Sequence, residues 1–497
     1  MRPSFWLAKL EERTKDLPAF LVILLFISLL LRLPSLFEPF WYGDEGIYLT
    51  LGQAIRQGQV LYRDIHDNKP PLLYWVAAIA GSVFWFRFIL MVWLMGTTVV
   101  FFKLAKKFFK EDGLALLLTS VFILLTSLPL FEGTITNAEH FFIGLVILGF
   151  YFFIEKRFWR SGLMFGVAFL FKSPPFLDWS SLLIFSFLLA FSKREQFFAE
   201  IKNKWPLVVG FVIPVGLTFV LYALEPGALS FYLESAWLQN LPYLFAWMDQ
   251  EATSLLSKQL FWRGLILLLV LGAIFLKRKL LLKKQLFLLV LLWLILAIFG
   301  AFMSSRPYPH YLLQVAAPLV LLIGFLLSFL KNKEKITYFL FGLSPIVLLL
   351  AGFFYYQFYT YPVIGYYQNF IEFSLGRRTQ ADYLNWFDQK TERNYQVASF
   401  LNDFLLPRER FFIWGNEPNI YALSRRLPVG RYTVAYHIHD FNRYQEVLSA
   451  IKNNPPRIII YDLDHRYSFA DLLAFLFENY YPIKQFGSLQ VWSHLSL

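Results

Sequence analysis

Eleven apolar runs of spanning or near-spanning length, separated by short polar loops, dominate this sequence. They fall at residues 18–36, 84–104, 114–130, 138–154, 161–173, 176–191, 206–224, 260–276, 285–303, 311–330 and 336–356. A run of about 17–25 apolar residues reads as a membrane helix, because in lipid the backbone must satisfy its own hydrogen bonds. The pair at 161–191 is short, and 71–83 reads as a separate half-helix. The expected fold class is an α-helical polytopic membrane protein with about eleven crossings, or eleven to thirteen with half-helices. Composition agrees: the 497 residues are 57% hydrophobic and 16% charged, with a mean hydropathy of +0.50. The first run lacks a small-residue cleavage site after it, so it is expected to be a retained helix and not a signal peptide.

The formal charge is +12. In a soluble chain that would suggest nucleic acid. Here the cations sit in clusters between alternate runs: Lys103 to Lys110, Lys156 to Arg160, Lys193 to Lys204, Lys277 to Lys284 and Lys331 to Lys335. The basic start, with Arg2, Lys9, Arg13 and Lys15, belongs with them. The positive-inside rule accounts for this alternation, and no nucleic-acid partner is expected. It puts the N-terminus inside and residues 37–70, 131–137, 225–258, 304–310 and everything after about 357 outside.

Beyond 357 the pattern changes. Helical patterns at 393–405, 441–452 and 468–479 alternate with strand patterns at 411–415 and 457–462, and 485–492 reads as a closing hairpin. Such alternation predicts a small α/β domain. The expected division is a transmembrane domain at 1–356, with a first outer loop at 37–70, and an extracytoplasmic α/β domain at 357–497. There is no Cys, which excludes disulfides and thiolate metal sites. Phosphate-loop, dinucleotide and HExxH signatures are absent too, which argues against ATP-driven transport and zinc proteolysis.

The stretch from Phe40 to Tyr74 carries the densest chemistry. Asp44 and Glu45 open an amphipathic segment, where Asp would serve as a helix N-cap or as a general base beside Phe40, Trp41, Tyr42 and Tyr48. Lys69 precedes Pro70-Pro71 at the return to the membrane, where it would snorkel or meet a lipid phosphate. Arg306 and His310 lie in a second aromatic, proline-rich turn, which ends at Tyr311. Glu139 opens a helix, Lys172 interrupts an apolar region, and Tyr232, Trp237, Tyr243, Phe245 and Trp247 give loop 225–258 an aromatic character suited to a membrane belt or to sugar stacking.

Taken together, Asp44-Glu45, Lys69-Pro70-Pro71-Leu72, Thr136-Asn137-Ala138-Glu139, Lys172 and the Arg306 to Tyr311 turn resemble bacterial glycosyltransferases of the C superfamily. The match is to relatives of the dolichyl-phosphate-mannose protein mannosyltransferases and the lipid A aminoarabinose transferases, over about residues 18–356. The resemblance implies inverting sugar transfer from a polyprenyl-phosphate donor to a protein, lipid or glycan acceptor at the outer face of a plasma membrane. It implies Asp44 as base or acceptor-orienting acid, Glu45 as its catalytic neighbour, and Lys69 at the donor phosphate; the second outer turn itself offers Arg306 and His310 as further phosphate ligands. Asp67, Tyr62, Glu139, Lys172 and Tyr311 complete the expected substrate-binding set. Some relatives carry an acid directly before the lysine; here that residue is Asn68. No cofactor follows from the sequence, and a divalent metal stays open. The alternatives are a flippase of lipid-linked saccharides, a polysaccharide polymerase or ligase, and a scaffold with a ligand-binding outer domain. A flippase predicts charges deep in several helices and inverted repeats, whereas the charges here concentrate at run edges.

Overall fold

The computed structural model describes residues 18–240, 259–332 and 334–496. The basic segment 1–17 and the aromatics Tyr243, Phe245 and Trp247 lie outside the described residues. Every apolar run is helical. In chain order the main helices are α1 (Ala19–Arg32), α2 (Gly43–Arg56), α3 (Leu72–Ala80), α4 (Val83–Phe109), α5 (Asp112–Ser127), α6 (Ala138–Ile154), α7 (Phe158–Phe169), α8 (Pro175–Ser192), α9 (Trp205–Leu224), α10 (Gln259–Leu276), α11 (Gln285–Phe302), α12 (Leu313–Lys331) and α13 (Ile336–Tyr355). Among the described residues, eight helical segments are long and apolar enough to cross a membrane, containing α1, α4 and α8 to α13. Helices α5 and α6 are apolar but have 16 and 17 residues, and α7 has 12. At 1.5 Å per residue α7 is about 18 Å long, against a hydrocarbon core of about 30 Å. The expected eleven crossings therefore resolve into eight helices of spanning length and three shorter ones. The half-helix expected at 71–83 is α3.

Small residues let α7 lie directly on α9. A Cβ at Gly162 would come within 2.1 Å of the Leu207 carbonyl, and one at Gly166 within 2.4 Å of the Phe211 carbonyl. This is the close backbone approach that small residues permit where no hydrophobic effect drives helices together. Aromatic stacking fills the wider gaps, as between Phe150 and Trp293, with ring centres 3.8 Å apart. Asp178, in the first turn of α8, is fully buried and accepts hydrogen bonds from Trp293 Nε1 (2.8 Å) and Gln314 Nε2 (2.7 Å).

The loops sort into two sets, as the charge alternation predicts. Lys107 pairs with Glu155, Lys284 with Glu334 and Lys331 with Glu111, joining the basic loops at one end of the bundle. The first loop and the 304–310 turn gather at the other, where the C-terminal domain sits.

That domain continues with α14 (Val363–Ser374), α15 (Gln380–Phe387) and α16 (Thr391–Phe404), then β1 (Phe412–Trp414), α17 (Asn419–Ser424), α18 (Ala435–Asp440), α19 (Tyr444–Asn453), β2 (Ile458–Asp462), α20 (Ala470–Asn479), β3 (Tyr480–Phe486) and β4 (Leu489–His494). The sheet order is β1-β2-β4-β3. β1 and β2 run parallel with Phe412 opposite Ile459, whereas β4 is antiparallel to both its neighbours. Ile458, Ile459 and Ile460 are all buried, the continuous apolar run of a strand covered on both faces. The strand and hairpin patterns were readable, whereas α17 and α18 were not: each is six residues long and lacks an apolar stripe of its own.

The domain grips the first loop. Asn419 Nδ2 donates to the Phe40 carbonyl (2.9 Å), Tyr366 Oη to Glu38 (2.9 Å), and the His66 N–H to the Arg431 carbonyl (2.9 Å).

Candidate functional site

Four chain segments meet the C-terminal domain around a cavity of about 680 Å3. Its position follows from how the first loop is held. Arg87, buried in the second turn of α4, donates from Nη1 to the carbonyls of Ser35 (3.0 Å) and Glu38 (2.8 Å). Its Nε and Nη2 grip Glu45 at 3.0 and 2.5 Å. Glu45 also accepts the Thr136 N–H at 2.9 Å. Glu45, expected as the catalytic neighbour of Asp44, is fully buried, does not line the cavity, and has its oxygens committed to donors. It anchors the first turn of α2 instead.

Asp44, one residue earlier, faces the cavity with its side chain 31% exposed. It is not the N-cap; Tyr42 holds that position, without a side-chain cap. Asp44 accepts a hydrogen bond from Tyr48 Oη (2.8 Å), and Lys69 Nζ lies 3.9 Å away. Burial pushes this carboxyl upward, but Lys69, His310, the Tyr48 hydroxyl and Lys172 together outweigh it and hold it below the ordinary aspartate value. It is ionised at neutral pH.

Lys69 is placed from beneath. Its Nζ lies 3.7 Å from Asp67 and over the Tyr48 ring. Asp67 is buried and accepts from Tyr74 Oη (2.6 Å) and the Asn68 N–H (2.8 Å). His437 Nε2, from the C-terminal domain, approaches it at 3.6 Å. Asp67 therefore positions Lys69 and does not line the cavity. Tyr62 also lies beneath the cavity: it is fully buried, and its hydroxyl donates to the Lys69 carbonyl (2.7 Å). Glu139 is buried too and pairs with Lys172 at 2.5 Å, while Lys172 reaches the cavity and covers the Tyr311 ring at 4.2 Å.

His310 lines the wall beside Tyr42, whose hydroxyl lies 3.5 Å from its Nδ1. Its Nδ1 contacts Glu132, a buried carboxylate that also accepts from Tyr42 Oη (2.9 Å). Arg306 and Tyr311 line the same wall. The 225–240 aromatics do something else. Tyr232 is fully buried, stacks on Tyr222 at 4.3 Å and packs at a tilt against Tyr62 at 5.4 Å, bracing the first loop.

Of the expected residues, Asp44, Lys69, Lys172, Arg306, His310 and Tyr311 line one cavity, although they are spread over 268 positions of sequence. The C-terminal wall was not anticipated. Asn416 follows β1, Arg466 and Tyr467 follow β2, and His437 and Asp440 lie on α18. Ligands of parallel strands gather at the strands' carboxyl ends, and that position was the available signal. Four fixed cations, Lys69, Lys172, Arg306 and Arg466, face two lining carboxylates, Asp44 and Asp440. Such a cavity suits an anionic ligand.

No protein-family model matches this sequence, and no curated protein matches it.

Among the described residues, no group of three or more His, Asp or Glu is placed to hold a metal ion. The cations nearest Asp44 also oppose a divalent cation there by like charge.

Proposed function

We propose that the protein transfers a sugar from a polyprenyl-phosphate-linked donor to an acceptor hydroxyl, inverting the anomeric carbon. The observation that carries this reading is the ionised Asp44 set among Lys69, Lys172, Arg306 and His310 in one cavity at the end of an apolar bundle. A lipid-linked donor joins an apolar tail, an anionic phosphate and a polar sugar, and this junction offers a place for each. The reading places the cavity at the extracytoplasmic face of a plasma membrane, with the N-terminus inside, on the strength of the alternating basic loops.

In the step itself, the acceptor oxygen attacks the anomeric carbon opposite the phosphate. The bond from that carbon to the phosphate oxygen breaks, and its electron pair stays on the lipid phosphate. The acceptor proton passes to Asp44. A carboxylate held below its usual pKa is a weak base toward a resting hydroxyl, but it becomes effective as the attacking oxygen turns positive, and it stabilises the cationic sugar on the way. Lys69 and Arg306 offset the charge growing on the leaving phosphate. The leaving group needs no proton, so the acid–base carboxylate pair of a glycosidase is not required.

The test is to supply purified protein in nanodiscs with a panel of radiolabelled polyprenyl-phosphate sugars and a membrane extract as acceptor. Label leaving the lipid for a new product supports transfer. Label that stays on its lipid while crossing a sealed bilayer supports the flippase reading instead.

A further inference from the structure

A second cavity, of about 450 Å3, lies where the end of α2 meets the C-terminal domain. Four arginines line it: Arg56 from α2, Arg408 from the turn after α16, and Arg425 and Arg426 from the end of α17. No carboxylate lines it. Among the described residues none of the four forms an ion pair. The nearby Glu409 turns its carboxylate to the Leu406 N–H at 2.8 Å.

The arrangement is built and not a loose surface cluster. Arg426 is only 5% exposed. Its Nη groups are fixed by the carbonyls of Ser424 (2.8 Å) and Leu405 (2.6 Å) and by Asn402 Oδ1, while its buried Nε has no hydrogen-bond partner. Arg408 and Arg425 both adopt left-handed backbone, at φ +66° and +55°, a conformation unfavourable to a long side chain. A buried guanidinium nitrogen without a partner, in a cavity lined by four arginines and no carboxylate, calls for an anion.

Its surroundings indicate where that anion comes from. Arg56 Nη2 reaches the Gly81 carbonyl (3.4 Å), directly before the first turn of α4. There Trp85 is 53% exposed, and an exposed tryptophan at the end of an apolar helix marks the lipid–water boundary. Leu406, beside Pro407 and Arg408, is 69% exposed, an apolar tip on the same rim. Guanidinium groups match phosphate oxygens two at a time, and basic pockets at the bilayer surface select anionic headgroups.

We propose that this four-arginine pocket binds the phosphate headgroup of an anionic membrane lipid and so docks the C-terminal domain on the bilayer. The inference is independent of the transferase reading.

The test uses full-length protein and an R408Q/R425Q variant, both changed residues being exposed. Each is reconstituted in phosphatidylcholine nanodiscs containing a minority of phosphatidylglycerol, and retained lipid is counted by native mass spectrometry. Retained phosphatidylglycerol should fall by about tenfold or more, since two of the four guanidinium groups lining the cavity are removed. An R408K/R425K variant should retain an intermediate amount. Equal unfolding temperatures in pure phosphatidylcholine establish that the variants fold. Equal retention by wild type and R408Q/R425Q would overturn the proposal. So would stabilisation of the wild type by inorganic phosphate as great as by phosphatidylglycerol, which would make the ligand a free anion.

Discussion

The Lys69 ammonium lies 3.9 Å from the Asp44 carboxylate and 3.7 Å from that of Asp67. It bridges an acid that faces the cavity and an acid that is buried beneath it. The buried one fixes the lysine. The facing one is kept ionised by it and retains an open side for a substrate. This division of labour within one short loop generates the expectations below.

Asp44 sits below its ordinary pKa because Lys69, and then His310, Tyr48 and Lys172, outweigh its burial. A group with a depressed folded pKa is ionised throughout the range above it. Initial transfer rates should therefore show no acid limb from Asp44 between pH 7 and pH 5. The Lys69→Met variant removes the largest opposing influence, so the acid limb should move to higher pH than in the wild type. A limb at the same pH in both proteins would contradict the assignment.

Lys69→Met should also weaken use of the donor. A charge-assisted contact to phosphate is worth about 1.5–3 kcal/mol, so kcat/KM for the lipid donor should fall roughly ten- to a hundredfold. An Arg306→Met variant should lose a similar factor. Neither change should alter the unfolding temperature as strongly as the loss of Arg87 does.

Arg87 and Glu45 are expected to act on stability. Glu45→Gln leaves Arg87 buried beside a neutral partner, and removing one member of a buried ion pair costs about 3–5 kcal/mol. Thermal unfolding should drop for Glu45→Gln and for Arg87→Met. The double variant should lose less than the sum of the two, since neither charge is then left alone. Additive losses would show that the two groups do not depend on each other.

These roles explain what could be read from the sequence and what could not. Run length and basic loops gave the helical bundle, because lipid leaves the backbone few choices. Asp44, Lys69 and Arg306 were readable because a charge at the edge of an apolar run has a cost. The different positions of Asp44 and Glu45 were not legible, because adjacent acids look alike until a helix turns one toward Arg87 and the other toward the cavity. The burial of Tyr62 and Asp67 beneath Lys69 was hidden for a related reason: residues that line the cavity and residues that hold them share one loop. The wall formed by Asn416, His437 and Arg466 left no local pattern, since it exists only once the sheet is built and seated on the first loop.

That seating is itself testable. A Cβ at Gly46 would come within 2.4 Å of Asn419 Oδ1 and 2.7 Å of its backbone nitrogen. Backbone cannot yield as a flexible side chain does, so Gly46→Ala should separate α2 from α17. Overpacking of this kind costs about 1–3 kcal/mol, and transfer should fall while the membrane helices remain protected from hydrogen exchange. At Gly43 a Cβ meets nothing within 4 Å, so Gly43→Ala serves as the control with unchanged activity.

His66 links pH to stability. Burial, with His437, Arg431 and Arg443, pushes its pKa far below the ordinary histidine value. It is neutral when folded and charges when unfolded, so its contribution is present above about pH 6.5 and is lost as the pH falls below that. Unfolding temperature should decline from pH 7 to pH 5, and His66→Phe should flatten the decline. An unchanged slope would remove His66 as its source.

The most direct measurement compares sugar transfer from a radiolabelled polyprenyl-phosphate sugar by wild type and Asp44→Asn, with donor binding measured in parallel. Transfer by the wild type, reduced about 10²- to 10⁴-fold in the variant with donor binding retained, is the expected result. Equal transfer by both proteins would remove Asp44 as the group that activates the acceptor and would contradict the account.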